Sequence, residues 1–212
     1  MDDMQVAILS ANLGDFDKVV DPIRQNIPMY TSFHRWTDED FPPITGLTPR
    51  LQYRIPKTHG WQMLPGYDIY MWLDGSFSLA KSDSLQWFVD KLGDNDVLLF
   101  SHPHRQTVKE EVDHIEDHLQ KGKPYITSRY KNGLHKEALA ELGDGPLYAS
   151  TVFMYRNTSV VQAALMTWWY LGSRYFSCDQ IVLTHAVRNL KVAVVEENQY
   201  KFPYLKEVSK HE

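Results

Sequence analysis

At 212 residues, 43% hydrophobic and 23% charged, the chain is long enough to bury a sizeable core and has an ordinary globular composition. Its net charge of −5, from 27 acidic and 22 basic residues, argues against a nucleic-acid binder relying on a global basic field, while leaving room for a local phosphate pocket. The lone cysteine, Cys178, excludes an intrachain disulfide, and the acidic start MDDMQVAILSAN is unlike a signal peptide. No stretch approaches the roughly 20 apolar residues of a membrane span. The expectation is a cytoplasmic protein without a membrane span, or one domain excised from a longer chain.

Val6 to Leu9 is a short apolar run predicted as the first strand. It runs into Ser10, Ala11, Asn12 and Gly14, small residues that allow a nucleotide base or ribose to approach the backbone. No G-x-G-x-x-G follows, so the dinucleotide fingerprint is absent. Asp15 to Pro28 reads as a loop with a short helix, Met29 to Trp36 as a second strand, and Thr37 to Thr48 as a loop. In Pro49 to His59, Arg50 and Arg54 lie four apart and share a face if the piece is helical. Lys57 follows Pro56, where a helix is expected to be interrupted. These cations form either a solvated basic face or a neutralising set for a diphosphate.

Tyr67 to Ser76 is the stretch that organises the chain. Ile69 to Leu73 is uncharged and apolar, as suits a central strand covered on both faces. Pro65 and Gly66 break the chain before it, and Gly75 breaks it after. Asp74 therefore falls where the strand leaves the sheet, the end at which open α/β sheets bind ligands. A carboxylate there, followed by Ser76, suits Mn²⁺ or Mg²⁺ carrying a diphosphate. The plainer reading is an Asp capping a turn or helix.

Ser82 to Leu92 has helical periodicity, and Val97 to Phe100 reads as another buried strand. It ends in Ser101-His102-Pro103-His104-Arg105, where a side chain either reaches phosphate or metal or belongs to an ordinary surface loop. Gln106 to Lys121 is a charged helix. Its His114-Ile-Glu-Asp-His118 segment departs from the zinc-protease H-E-x-x-H pattern and reads as a solvated face. Leu134 to Leu142 is a further helix and Leu147 to Tyr155 a strand. A helix capped by Thr158 or Ser159 runs through Tyr170. Ser177 is placed to cap the next, continuing over Ile181 to Leu190 with Asp179 and Gln180 in its first turn. Val192 to Val195 is predicted as the last strand. Asp179 either complements the helix dipole or, with Gln180 and the nearby aromatics, suits a cluster of sugar hydroxyls. Strands alternating with helices make the class α/β.

Four segments in order carry a resemblance: Arg54-x-x-Lys57; Pro65-x-x-Asp68-x-x-x-Trp72-Leu73-Asp74-Gly75-Ser76; Ser101-His102-Pro103-x-Arg105 with Glu110-Glu111; and Arg174-Tyr-Phe-Ser-Cys-Asp179-Gln180. Together they resemble glycosyltransferases of the GT-A type. More narrowly, they resemble plant glycosyltransferase-like domains with a W-I-D-G-S core and the N-terminal domain of chlorella virus enzymes that glycosylate the major capsid protein. The resemblance implies one Rossmann-like GT-A domain over residues 1–212, with a mixed, mostly parallel central sheet flanked by helices. It implies a UDP-sugar donor, a glycan or glycoprotein acceptor and a Mn²⁺ or Mg²⁺ ion on Asp74 in the D-x-D position, with Ser76 standing where the second Asp belongs. Ala11, Asn12, Arg54, Lys57, Ser76, His102 and Arg105 would bind the donor, and Asp179 and Gln180 would serve the sugar, with retention of configuration. A viral enzyme of this kind works in host cytoplasm. The alternatives are a nucleotide-sugar hydrolase, which uses water as acceptor, and a non-catalytic carbohydrate-binding module.

Overall fold

The computed structural model describes residues 4–14, 17–18, 20–27, 29–123, 130, 132–175 and 179–208. The chain is α/β. Six strands form the central sheet: β1 (Gln5–Asn12), β2 (Tyr30–Thr37), β3 (Ile69–Leu73), β5 (Val97–Ser101), β6 (Tyr148–Arg156) and β7 (Val192–Val195). They lie in the order β2-β1-β3-β6-β5-β7. β1 pairs in parallel with β2 and β3, and β5 with β7, while β6 runs antiparallel to both its neighbours. Two short strands missed by the sequence reading, β4 (Phe77–Leu79) and β8 (Leu205–Glu207), pair into a separate antiparallel ribbon, so Val192–Val195 is not the last strand.

Period-two alternation divides the core into two layers. Ala7, Leu9, Ala11, Tyr70, Trp72, Leu99, Phe153 and Tyr155 face one side. Helices α1 (Pro49–Met63), α3 (Val108–Gln120), α4 (Leu134–Leu142), α5 (Ser159–Tyr175) and α6 (Asp179–Val187) cover that side. Ile8, Ile69, Met71, Leu73, Leu98 and Met154 face the other, under α2 (Ser84–Leu92) and the β4–β8 ribbon. All five residues of β3 are buried, as its uncharged run requires. Tyr70 of β3 sits opposite Tyr155 of β6 with rings stacked at 5.4 Å, a cross-strand aromatic pair that helps fix register.

Helix α1 departs most from expectation. It continues through Pro56 to Met63 instead of stopping. Thr48 Oγ1 accepts from the Leu51 amide at 3.2 Å, and Pro49 occupies the first turn, where its missing N–H costs nothing. Beyond Pro56, tertiary packing holds the helix: a Cβ at Gly60 would lie 2.4 Å from Leu9 Cδ1, so a larger residue there would have to push the Leu9 side chain aside. The face that α1 buries is polar, with Gln52, Arg54, Lys57 and Thr58 all enclosed. Gln52 ties down the preceding loop through Phe41 O, Pro42 O and the Ile44 amide.

The short helix expected within Asp15 to Pro28 is absent from the described part of that segment. Asn12 organises the chain there instead, its amide exchanging two hydrogen bonds with the Asp17 backbone. Helix α2 begins at Ser84 rather than Ser82, and α6 stops at Val187 rather than Leu190. The cap expected from Ser177 lies outside the described residues. No helix among the described residues is long and apolar enough to cross a membrane.

Candidate functional site

Four residues singled out from the sequence meet at the carboxyl end of β3. Asp74 follows the last strand residue, with its amide donating to Thr151 O of β6. Lys57, one turn beyond Arg54 on α1, places its ammonium 3.2 Å from Asp74 Oδ1 and 3.1 Å from Asp179 Oδ2. The Arg54 guanidinium forms an ion pair with Asp179 Oδ1 at 2.5 Å and donates a hydrogen bond from Nη1 to Gly172 O of α5. Asp179 opens α6, 122 residues from Lys57, so only the tertiary fold joins them. Lys57 is 2% exposed, and the side chains of Asp74 and Asp179 are 19% and 15% exposed. The solvated basic face is therefore the wrong account of Arg54 and Lys57.

Aromatic rings wall the cluster. The Lys57 ammonium stands 5.9 Å from the ring centre of Tyr53, 6.0 Å from Trp72 and 5.7 Å from Trp168. Tyr53 Oη and Trp72 Nε1 each donate to Asp74 Oδ1 at 2.6 Å, and Trp168 Nε1 donates to Asp179 O at 2.9 Å. Tyr53, Trp72 and Trp168 thus anchor the site's carboxylates and helix start, roles that the sequence did not assign. Asp17 is another unassigned neighbour, with Oδ2 2.6 Å from where a Cβ on Gly75 would stand. Glycine at position 75 is what lets the β1 loop and the β3 exit approach.

The electrostatics follow from this crowding. Burial by itself would raise the Asp179 carboxyl; Arg54, Lys57 and Arg50 overcome it and hold the group well below the usual carboxylate range. Burial likewise favours a neutral Lys57, but Asp74 and Asp179 outweigh it and keep the ammonium charged. Tyr53 is pushed far above its ordinary value by burial and then by Asp74, Asp17 and Asp179, so it remains a donor. Asp74 and Asp179 balance Lys57 and Arg54, while Arg50, acting on Asp179, is matched by Asp17, acting on Tyr53.

The other predicted residues fall into two groups. Ala11 and Asn12 end β1 beside the β3 exit: Ala11 O lies 3.2 Å from the Gly75 Cβ position, while Asn12 is engaged with Asp17. Ser76 is buried in the 74–77 turn, and its carbonyl accepts from the Val208 amide. Gln180 is half-buried in the first turn of α6. His102 and Arg105 are not joined to the cluster by any described contact. His102 Nδ1 accepts from the amides of His104 and Arg105, and the Arg105 guanidinium pairs with buried Glu111. Burial, then Arg105, His104 and His114, lowers the His102 imidazole to about 4. These two residues shape the β5 exit. In the H-x-x-x-H segment, Glu116 is occupied by His135 and Lys136 of α4.

The donor set at Asp74 does not fit the Mn²⁺ or Mg²⁺ that the resemblance implies. Asp74 Oδ1 already receives three donors, Ser76 supplies no second carboxylate, and an ammonium stands between the two acids. Among the described residues, no group of three or more His, Cys, Asp or Glu side chains is placed to hold a metal ion.

Two cavities bear on binding. A space of about 10 Å³, room for one water, lies against Arg54, Lys57, Trp168 and Asp179. A groove of about 800 Å³ opens at the other end of the sheet, between Gln5, Tyr30, Gly66 and Tyr67.

No family model and no curated protein matches the sequence. Among solved structures, the chain is similar to the galactosyltransferase LgtC in complex with donor and acceptor sugar analogues. That match has a TM-score of 0.45 and 11% identity, covering 89% of this chain and 72% of that one. It is also similar to A197 from STIV (TM-score 0.38, 8% identity, 91% and 82% covered). A third similar structure is 4-diphosphocytidyl-2C-methyl-D-erythritol synthase from Anaerococcus prevotii (TM-score 0.41, 13% identity, 92% and 90% covered). These likenesses assign no activity to this chain.

Proposed function

We propose that the protein is a GT-A type glycosyltransferase, moving a sugar from a UDP-sugar to a glycan or glycoprotein acceptor with retention of configuration. One observation carries the reading: Asp74, Lys57, Arg54 and Asp179, drawn from three elements and from three of the four resemblance segments, converge at the carboxyl ends of parallel strands. Ligands of open α/β sheets bind at that end. The narrower role in capsid-protein glycosylation rests on the sequence resemblance alone.

In this reading the donor lies across the exits of β1 and β3, with base and ribose over Ala11 and Asn12 and the diphosphate beside Asp74 and Ser76. The anomeric C–O bond breaks, its electron pair leaving with UDP. The acceptor hydroxyl oxygen bonds to the anomeric carbon, and its proton passes to the departing phosphate. Positive charge develops on the sugar and negative charge on the diphosphate. Asp179, held ionised by Arg54 and Lys57, sits at the sugar with Gln180 beside it. Incubation with a panel of UDP-sugars and glycan acceptors tests this. The expected result is UDP release coupled to acceptor glycosylation, lost in Asp179→Asn. UDP released with free sugar alone indicates a hydrolase.

A second reading has its own observation. Tyr30 is 59% exposed, and its ring stacks on that of Tyr67 at 6.2 Å in the large groove. Flat aromatic faces beside polar backbone suit a sugar ring, as in a carbohydrate-binding module. Glycan binding that is lost in Tyr67→Ala, with no UDP released from any donor, would favour it.

A further inference from the structure

We propose that Lys57 is a fixed replacement for the divalent cation at the β3 exit, so that nucleotide-sugar binding at this site is independent of metal. The proposal rests on the glycosyltransferase reading and specifies how the site holds its charge.

The geometry is that of a bridging cation. Nζ stands within 3.2 Å of carboxylates from two separate elements, β3's exit and the start of α6. All three ammonium hydrogens have acceptors, the third being Ser150 Oγ at 3.4 Å. Asp74 Oδ1 is also saturated, since Tyr53 and Trp72 donate to it as well. A divalent ion on Asp74 Oδ1 would have to displace these donors, and one on the other carboxylate oxygen would still stand beside the Lys57 ammonium. Such ions also retain water reluctant to leave, whereas the wall here is three aromatic rings. A single charge on an apolar stem suits an aromatic enclosure better.

The charge balance gives the arrangement its purpose. Asp74 and Asp179 unneutralised would repel a diphosphate. Lys57 and Arg54 cancel them, and Arg50 and Asp17, which also act on the site, carry opposite charges, so an anion can approach without an added ion. With its hydrogens spent inside the protein, Lys57 acts through the two carboxylates. It is a positioning residue. The strongest rival is Asp17, whose carboxylate lies beside Gly75 and would be the second ligand of an ion on Asp74.

The test is calorimetric titration of the whole chain with UDP, in EDTA and in excess Mn²⁺, with Mn²⁺ binding followed separately by EPR. The expected result is UDP binding in EDTA, with a Kd within about twofold of that in Mn²⁺. Lys57→Met should lose binding that Lys57→Arg retains, with circular dichroism confirming that each variant folds. UDP binding that requires Mn²⁺ overturns the proposal while leaving the glycosyltransferase reading intact. Loss of that Mn²⁺ dependence in Asp17→Asn would then place the ion between Asp74 and Asp17. UDP binding under neither condition overturns both. The wild-type comparison decides the matter even if Lys57→Met does not fold.

Discussion

At the carboxyl ends of β1 and β3, charged side chains close on one another around a space for one water. At the amino ends of the same strands, roughly 20 Å away at ~3.3 Å per residue, a groove of about 800 Å³ is lined by Gln5, Ile27, Met29, Tyr30, Pro65 and Tyr67, with no charged side chain. One end packs its charges closely together, and the other is open and lined without charge. The difference separates two uses of side chains. A buried ionic cluster is costly to disturb, because removing one member strands the others in low dielectric. Tyr67 is partly buried against the core, but exposed Tyr30 leaves the fold nearly unchanged when removed, and its worth lies in what it binds.

The largest expected effect follows from that asymmetry. Lys57→Met removes the one cation that bridges Asp74 and Asp179, leaving Arg54 beside Asp179, and should cost about 3–5 kcal/mol by urea denaturation. The double variant Lys57→Met, Asp179→Leu should recover part of the loss, since an apolar replacement of the pair strands fewer charges. Tyr30→Ala, at the other end, should change stability by no more than about 0.5 kcal/mol. Equal losses at the two ends would show that the cluster is more solvated than its burial implies.

A smaller effect tests the same contrast by pH. Asp179 titrates well below its unfolded value, so its contribution is fully present above about pH 4. It is lost progressively as pH falls from there toward the folded value. Stability measured from pH 6 to pH 2 should therefore fall below about pH 4, and Asp179→Asn should flatten that part of the curve. Lys57 has the opposite sign: its raised value adds stability that fades only at alkaline pH, above its unfolded value near 10.4. An acid limb unchanged in Asp179→Asn would mean that other carboxylates set it.

How far the sequence foretold this depends on what each stretch buries. Ile69 to Leu73 announced itself as a central strand because both its faces are apolar, and Asp74 followed from where that run stops. The runs Val6 to Leu9 and Val97 to Phe100 were legible for the same reason, although β1 continues to Asn12 and β5 to Ser101, where the side chains turn polar. Helix α1 was half-legible. Thr48-Pro49 is a readable start, but periodicity is judged on apolar stripes, and α1 buries Gln52, Arg54, Lys57 and Thr58. Pro56 then read as a stop because the packing of Gly60 on Leu9 is not a local property. The pairing of Lys57 with Asp179 was hidden by a separation of 122 residues. Tyr53 and Trp72 were invisible as anchors, since an aromatic among apolar residues reads as core until its polar atom has a partner. β4 and β8, three residues each, are too short to show any period.

The smallest stability effect carries the sharpest functional test of the two ends. Tyr30 and Tyr67 stack in an open groove, and Gly66 before Tyr67 has φ +103°, a backbone that other residues adopt only with strain. If the groove receives a glycan, Tyr67→Ala should weaken glycan binding on an array by roughly tenfold, the loss of about 1.4 kcal/mol of ring contact. UDP binding, made at the opposite end, should be unaffected. Loss of UDP binding in Tyr67→Ala would instead place the nucleotide at the amino ends of the strands, against the rule that open α/β sheets bind at the carboxyl ends. The ionic cluster would then be a structural feature of the α1–α6 interface.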